Sequence, residues 1–252
     1  MSPLLALAAT AAAQLPPICT DRPSKANAVC TVPAGHWQVE ASIADWTLTK
    51  AGGTRTTVLA IAPTTVKYGL TDHSDLELTV VPFARSQTTG EPSFSGAGDL
   101  LVRYKQRLTH DSAPVQVTAI PFVKIPVAKR GLGNGKGEGG IAMPVSFNVA
   151  GPVIMTLGPE ADWLADGDGD GRHLAVVNLV NLAGSIAPRL TLDGELWTNL
   201  NFDPAGTIRQ ASVDVAAAYA WTDYLQLDGG ANFGLTRNTP DLELYSGFSI
   251  RF

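Results

Sequence analysis

Charged side chains that recur at alternate positions are the residues most suited to chemistry in this sequence. In the stretch GDLLVRYKQRL, Arg103, Lys105 and Arg107 lie two residues apart, while Val102 and Tyr104 fall on the opposite parity. Successive side chains of a strand point to opposite faces, so the three cations would occupy one face. Such a face needs water or compensating acids. The pattern predicts a strand with one apolar face and one charged face.

Other strand-like stretches carry charges of both signs on the face opposite to their apolar residues. Such a mixed set could line a conduit for small solutes. It could equally form a salt-bridged interior that fills a narrow barrel and conducts little. The predicted pore-lining residues are Glu40, Glu77, Arg103, Lys105, Arg107, Lys124, Glu160, Asp193, Glu195, Asp228, Glu243 and Arg251.

The run DGDGDG places Asp166, Asp168 and Asp170 at the spacing of a calcium-binding loop. The motif is incomplete, because the position twelve residues along is Val177 and not the bidentate Glu of an EF-hand. The pattern therefore favours a solvated turn over a weak surface calcium site. No other metal and no cofactor is predicted.

The four histidines fall mostly at strand ends or turns, and no Ser, His and acidic group can be placed together on one face. We therefore predict that the protein is not an enzyme.

Composition excludes two further classes. The 252 residues carry a net charge of −5 without a basic stripe, so a nucleic-acid partner is not expected. Hydrophobic residues make up 45% of the chain, yet no run approaches the roughly 20 apolar residues that a transmembrane helix needs. If the chain spans a membrane, it does so without helices.

The N-terminal stretch predicts export. Leu4–Ala9 is a short apolar run, and Ala11–Ala13 resembles the small-residue site that signal peptidase cuts, although a basic region is missing before it. The alternative is a disordered Ala-rich tail. The predicted organisation is a signal peptide over 1–13, a periplasmic strap or plug over 14–35, and a β-barrel over 36–252.

Two cysteines, Cys19 and Cys30, lie before the first predicted strand. Their spacing does not fit a zinc site, which needs more ligands than this segment offers. An exported chain would allow a disulfide between them. The alternative is two free thiols in a flexible segment.

From His36 onward the chain repeats one unit, a period-two alternation closed by turn residues. No segment with a helical period interrupts it. The predicted strands lie near 36–49, 54–68, 75–85, 98–108, 115–126, 138–149, 152–164, 171–186, 189–202, 206–222, 224–236 and 241–252.

Two all-β architectures fit this pattern, a soluble sandwich and a membrane barrel with the faces inverted. An even strand count, strands of about ten residues and short turns alternating with long loops favour the barrel. We predict a closed antiparallel transmembrane β-barrel of about twelve strands, in contact with the lipid of the bacterial outer membrane. A girdle at one membrane interface is predicted for Trp37, Tyr68, Tyr219, Trp221 and Phe252.

The stretch TDRPSKANAVCTVPAGHWQVEAS, with Asp21, Arg22 and Pro23 near its start, resembles the N-terminal signature of a bacterial outer-membrane family. That family is labelled as transporters or as MetA-pathway of phenol degradation proteins. The stretch VKYGLTDHSDLEL resembles its second hairpin. The resemblance is strongest over residues 20–80 and implies a transport role for small solutes, hydrophobic or aromatic ones included. A structural or adhesive barrel with a closed lumen is the alternative.

The sequence stops on the alternating stretch DLELYSGFSIRF. Its Phe248, Ile250 and Phe252 resemble the C-terminal signal by which the barrel-insertion machinery recognises outer-membrane barrels. The insertion machinery is therefore an expected partner, and the last strand is expected to pair with the first.

Overall fold

The computed structural model describes residues 15–252, so the predicted signal peptide over 1–13 lies outside the described residues. The chain forms a closed antiparallel barrel of twelve strands. No helix among residues 15–252 is long and apolar enough to cross a membrane. The strands are β1 (Trp37–Ala51), β2 (Thr54–Ile61 and Thr64–Thr71), β3 (Ser74–Val80 and Phe83–Thr88), β4 (Phe94–Gly96 and Leu100–Arg107), β5 (Val115–Ile125), β6 (Glu138–Ala142 and Val145–Ala150), β7 (Val153–Leu157 and Glu160–Ala165), β8 (Arg172–Ala187), β9 (Leu190–Asn201), β10 (Ile208–Ala220), β11 (Leu225–Gly234) and β12 (Leu242–Arg251).

Five of these strands are interrupted; four of them were expected to be continuous, whereas the first part of the fifth, β4, was expected to belong to a loop. The breaks in β2, β3, β6 and β7 end at Pro63, Pro82, Pro144 and Pro159. Proline has no backbone N–H and so cannot donate to the ladder on its own strand. The fifth break, in β4, falls at residues 97–99.

The barrel closes because β12 pairs with β1. Their register runs from Gln38 opposite Arg251 to Leu48 opposite Leu242. The N–H of Phe252 donates to the carbonyl oxygen of Trp37 at 2.8 Å, which extends the ladder by one residue. Closure pairs the first strand with the last, so neither of them is left as a sheet edge. The expected pairing of the last strand with the first is thus confirmed.

The two faces of the barrel are inverted relative to a soluble protein. Outward-facing residues such as Leu196 and Val215 are 48% and 49% exposed. Inward-facing Glu77 and Lys105 are 0% and 1% exposed. An apolar outer surface around a polar interior is the arrangement that surrounding lipid requires.

The two ends of the barrel differ. We call the end that holds residues 36 and 252 the turn rim and the opposite end the loop rim. Alternation of short turns and long loops is less strict than expected, because β1 and β2 are joined at the loop rim by only Gly52 and Gly53. Both glycines have positive φ, 57° and 80°, which a tight two-residue hairpin turn needs.

The predicted aromatic girdle lies at the turn rim. The rings of Trp37 and Tyr68 have centroids 4.6 Å apart, and those of Tyr219 and Trp221 are 6.2 Å apart. Trp37, Trp221 and Phe252 are more than half exposed on the outer face. Amphipathic rings at this height suit a membrane interface.

Candidate functional site

The N-terminal segment, residues 15–35, forms no strand and lies inside the barrel. It enters at the turn rim, where the N–H of Ile18 donates to the carbonyl oxygen of Asp223 at 2.7 Å. It leaves at the same rim, where the N–H of Gly35 donates to the carbonyl oxygen of Gly69 at 2.9 Å. Cys19 and Cys30 are joined by a disulfide in the structure, which closes the intervening residues into a loop.

One carboxylate near the tip of this loop meets two buried lysines of the wall. Asp21 binds Lys67, and its Oδ1 lies 2.7 Å from Lys105 Nζ. Lys67 also lies 2.7 Å from Glu40, and both lysines lie 3.5 Å from Glu77. Burial by itself would raise the pKa of Asp21, but Lys105 and Lys67 lower it more, so it lies well below its usual range.

Two cations of the segment reach the opposite wall. Arg22 lies 2.6 Å from Asp228 on β11 and donates to Ser42 at 2.6 Å. Close approach is possible because a Cβ on Gly247 would lie 2.5 Å from the Arg22 guanidinium. Lys25 lies 2.6 Å from Asp214 on β10. The segment is therefore held by ion pairs from several sides of the barrel.

Backbone groups of the segment are satisfied by the same wall. The N–H groups of Lys25 and Ala26 donate to Glu195 at 3.2 and 3.0 Å. The N–H of Val32 donates to Asp75 at 2.8 Å. A segment without secondary structure leaves its backbone donors open, and lumen carboxylates supply the acceptors.

The segment separates two spaces of the lumen. On the loop-rim side lies a cavity of about 510 Å³, which we call the outer chamber. Towards the turn rim lies a cavity of about 400 Å³, which we call the inner cavity. Arg22, Ser24 and Asn27 line both spaces. Only a few residues at the tip of the segment therefore separate them.

One wall of the outer chamber is amphipathic. Glu160 and Asp162 occupy alternate positions of β7 and line the chamber together with Val177, Leu179 and Trp197 of β8 and β9. In the sheet register Glu160 lies opposite Val177, and Leu179 lies opposite Trp197. Carboxylates thus adjoin an apolar surface within one wall.

Nearer the loop rim, a second ion-pair group spans three strands or their ends. Lys124 of β5 lies 2.6 Å from Glu138 of β6 and 3.3 Å from Asp99 before the second part of β4. Asn134 accepts a hydrogen bond from Lys124 at 2.7 Å and donates one to Glu138 at 2.8 Å. These contacts tie the loop between β5 and β6 to the wall.

The structure distributes the predicted pore-lining residues over different levels of the interior. Glu40, Glu77, Arg103 and Lys105 belong to or adjoin the Asp21 cluster. Arg107 pairs with Asp111 at 2.5 Å near the turn rim, and Arg251 donates to the carbonyl oxygen of Pro16 at 2.6 Å. Of the others, Glu160 lines the outer chamber, Asp193 lines the inner cavity, and Lys124 lies near the loop rim. Glu195 and Asp228 bind the N-terminal segment from the wall, and Glu243 accepts a hydrogen bond from Asn232.

Sequence reasoning missed several members of this interior. Lys67, Asp75 and Asp214 were not among the predicted pore-lining residues, although each lies on the polar parity of its strand. The inward positions of Val177 and Leu179 had no such signal, because β8 is apolar on both parities. Only the register of β8 against its neighbours identifies its inner face.

The three carboxylates of the calcium-like run are not brought together. Asp166 contacts His173 Nδ1 at 2.7 Å, whereas Asp168 accepts from the N–H of Asp170 at 3.1 Å. Within residues 15–252 no group of three or more His, Cys, Asp or Glu side chains is arranged to hold a metal ion. The run forms a turn with internal hydrogen bonds, so the structure gives the weak calcium site no support.

Solved outer-membrane barrels share this architecture. An outer-membrane channel of Pseudomonas putida F1 is 17% identical, with a TM-score of 0.72 over 89% of this chain and 98% of the channel. The NanC porin is 11% identical, with a TM-score of 0.56 over 85% and 98%. The translocator domain of the autotransporter NalP from Neisseria meningitidis is 12% identical, with a TM-score of 0.54 over 88% and 90%.

At such identities the likeness shows the fold alone, that of a β-barrel of the bacterial outer membrane. No curated protein matches the sequence significantly. A family model spans residues 20–252, which is most of the chain, and the protein therefore belongs to the family described as "Putative MetA-pathway of phenol degradation".

Proposed function

We propose that this protein is an outer-membrane channel for small solutes, hydrophobic or aromatic ones included, and that its N-terminal segment acts as a plug. The observation that carries the proposal is the shared lining of the outer chamber and the inner cavity by Arg22, Ser24 and Asn27. Two sizeable spaces on opposite sides of so thin a partition would become continuous if the tip of the segment moved aside.

The apolar part of the outer chamber supports the solute class. Val177, Leu179 and Trp197 present an apolar and aromatic surface inside a lumen that is otherwise largely polar. A pore for small ions would not need such a surface, whereas apolar solutes lose their contact with water against it. The family description, which concerns phenol degradation, is compatible with this proposal, and so is the fact that the Pseudomonas putida protein is an outer-membrane channel. The proposal involves no enzymatic step.

A second candidate is a structural or adhesive barrel with a closed lumen. The specific observation in its favour is that Asp21, Arg22 and Lys25 are all paired with buried wall charges. Removing one partner of a buried pair leaves an uncompensated charge, which is strongly unfavourable. In this alternative the segment fills the lumen permanently, and the function of the protein does not require its release.

Deletion of residues 14–33 separates the two candidates. For a plugged channel we expect single-channel conductance in planar bilayers to rise several-fold, because the partition between the two spaces is removed. Heat-modifiable migration on a gel would show that the deleted protein still forms the barrel. Unchanged conductance in a correctly folded deletion would overturn the plug. The absence of conductance from both proteins would favour the closed barrel.

A further inference from the structure

The outer chamber contains acidic groups that the protein itself does not neutralise. Asp45, Glu160 and Asp162 line it, and none has a cationic partner within ion-pairing distance among the described residues. One oxygen each of Asp45 and Asp162 is buried without a hydrogen-bond partner. Every cation lining the chamber is already paired: Arg22 with Asp228, Lys25 with Asp214, Lys67 with Asp21 and Glu40, and Arg103 with Glu77.

Glu160 and Asp162 form the most concentrated part of this excess. They are two residues apart on β7 and so point to the same side of the wall. The two groups are close enough to hydrogen-bond to each other, and a cation placed between them would take the place of the proton that they share. Arg103, which also lines the chamber, contacts Glu77 at 3.8 Å and is beyond ion-pairing distance of Glu160 and Asp162.

Apolar side chains flank the acidic pair on both sides. In the register of the sheet, Glu160 lies between Ala142 of β6 and Val177 of β8. Ala142 in turn lies opposite Ile120 of β5. Next along the wall, Leu179 lies opposite Trp197. A small molecule whose cationic end meets the carboxylates would therefore place its body against an apolar surface.

Trp197 of this wall already contacts a cation in the structure. The Lys25 ammonium lies 4.9 Å from the centroid of its ring, which is the geometry of a cation–π contact. That face of the ring is occupied by the plug, so a solute has the neighbouring surface of Val177 and Leu179 and the remaining edge of the ring. The volume of about 510 Å³ is within the range of small-molecule sites.

We propose that the outer chamber is a binding site for small amphipathic amines. The ammonium group binds Glu160 and Asp162, and the apolar or aromatic body packs on Val177, Leu179 and Trp197. This inference rests on the proposed channel function only for its biological use, since binding in the chamber does not require the plug to move. It narrows the solute class from aromatic molecules in general to those that carry a positive charge.

The test compares three molecules of similar size and different charge: 2-phenylethylamine, 2-phenylethanol and phenylacetate. Isothermal titration calorimetry on the folded full-length barrel in detergent is expected to give the amine at least tenfold tighter binding than the alcohol, and no detectable binding of the anion. The double variant E160Q/D162N should bind amine and alcohol alike. Equal binding of all three by the natural protein would overturn the proposal, as would an amine preference that survives in E160Q/D162N.

Two further variants make the test specific. Asp193→Asn removes an inward-facing carboxylate that also has an oxygen without a partner but lies in the inner cavity, so it should retain the amine preference. Leu179→Asn should weaken the binding of 2-phenylethylamine and leave the binding of methylamine unchanged. Equal effects on the two affinities would show that the apolar wall does not contribute to binding. Heat-modifiable migration checks each barrel, and E160Q alone replaces the double variant if the latter does not fold.

Conductance measurements separate this inference from the proposed function. If the amine binds but neither the full-length protein nor the 14–33 deletion conducts, the proposed channel function is wrong and the proposed amine-binding site is retained. If the deletion conducts but the three molecules bind equally, the channel stands and the amine site is wrong.

Discussion

Asp21 and Lys105, which are 84 residues apart in sequence, meet inside the barrel with 2.7 Å between Oδ1 and Nζ. Lys105 is only 1% exposed, and its shorter ion pair is with this residue of the N-terminal segment, because Glu77 of the wall lies 3.5 Å away. The wall and the segment are therefore mutually dependent. Four predictions follow from this and from related contacts.

Asp21→Asn should release the N-terminal segment. The change leaves Lys67 and Lys105 with one acid fewer, and breaking a buried pair costs about 3–5 kcal/mol. In the natural protein Lys25 is held by Asp214 inside the barrel. We expect trypsin to cut after Lys25 about a hundredfold faster or more in the variant than in the natural protein. The matched control is Asp111→Asn, because Asp111 is 65% exposed and its pair with Arg107 should contribute at most about 1 kcal/mol. Equal cleavage of natural protein and Asp21→Asn would show that this carboxylate does not hold the segment.

The contribution of Asp21 to holding the N-terminal segment in the barrel should not change between about pH 8 and pH 5. Its pKa in the folded protein lies below the ordinary value of 3.8, since Lys105 and Lys67 outweigh the effect of burial. A lowered pKa means that the stabilisation is complete above the ordinary value and is lost only as the pH falls through the folded one. The ratio of Lys25 cleavage rates in Asp21→Asn and natural protein should therefore be constant over this window. A ratio that collapses near pH 6 would contradict the ion pairing of Asp21 with these lysines.

Loss of the disulfide should loosen the segment without affecting the barrel. Cys19–Cys30 closes a loop that contains Asp21, Arg22 and Lys25, and opening a loop of about twelve residues restores roughly 3 kcal/mol of chain entropy. The double variant C19S/C30S should show faster cleavage at Lys25 and unchanged heat-modifiable migration.

Reductant provides the control for that variant. Both cysteines line a cavity of about 540 Å³ at the turn rim, so a small thiol can reach them. Dithiothreitol should reproduce the C19S/C30S behaviour in the natural protein and have no effect on the variant. If dithiothreitol also changed the cleavage rate of C19S/C30S, its effect would not come from the Cys19–Cys30 disulfide.

Phe252→Ala should reduce assembly in the outer membrane. Phe252 is 67% exposed at the turn rim and ends the strand whose Phe248 and Ile250 share its outward parity. If these residues form the signal for the insertion machinery, the folded, heat-modifiable fraction in outer-membrane preparations should fall several-fold. Phe202→Ala, at a 46% exposed aromatic residue near the loop rim, is the control. Equal yields of the two variants would argue against a C-terminal signal.

The sequence by itself determined the strand count and the division of each strand into an apolar and a polar face. These features are local, because the period-two alternation of stretches such as DLELTVV assigns each residue to a face without knowledge of its neighbours in space. The polar parity that placed Glu77 and Lys105 inside is an example. The same locality explains the partial failures, since β8 is apolar on both parities and a proline does not disturb the alternation that it interrupts.

Only the tertiary structure decided how the interior charges are used. Asp21 pairs with Lys67 and Lys105, while Glu160 and Asp162 have no cationic partner among residues 15–252. Both outcomes depend on shear and register between strands and on the path of a segment that has no secondary structure. Such contacts join residues that are far apart in the sequence; Arg22 and Asp228, for example, are 206 positions apart. No sequence period encodes them, because in a closed barrel an interior charge is paired or left free by the geometry of closure and not by its own strand.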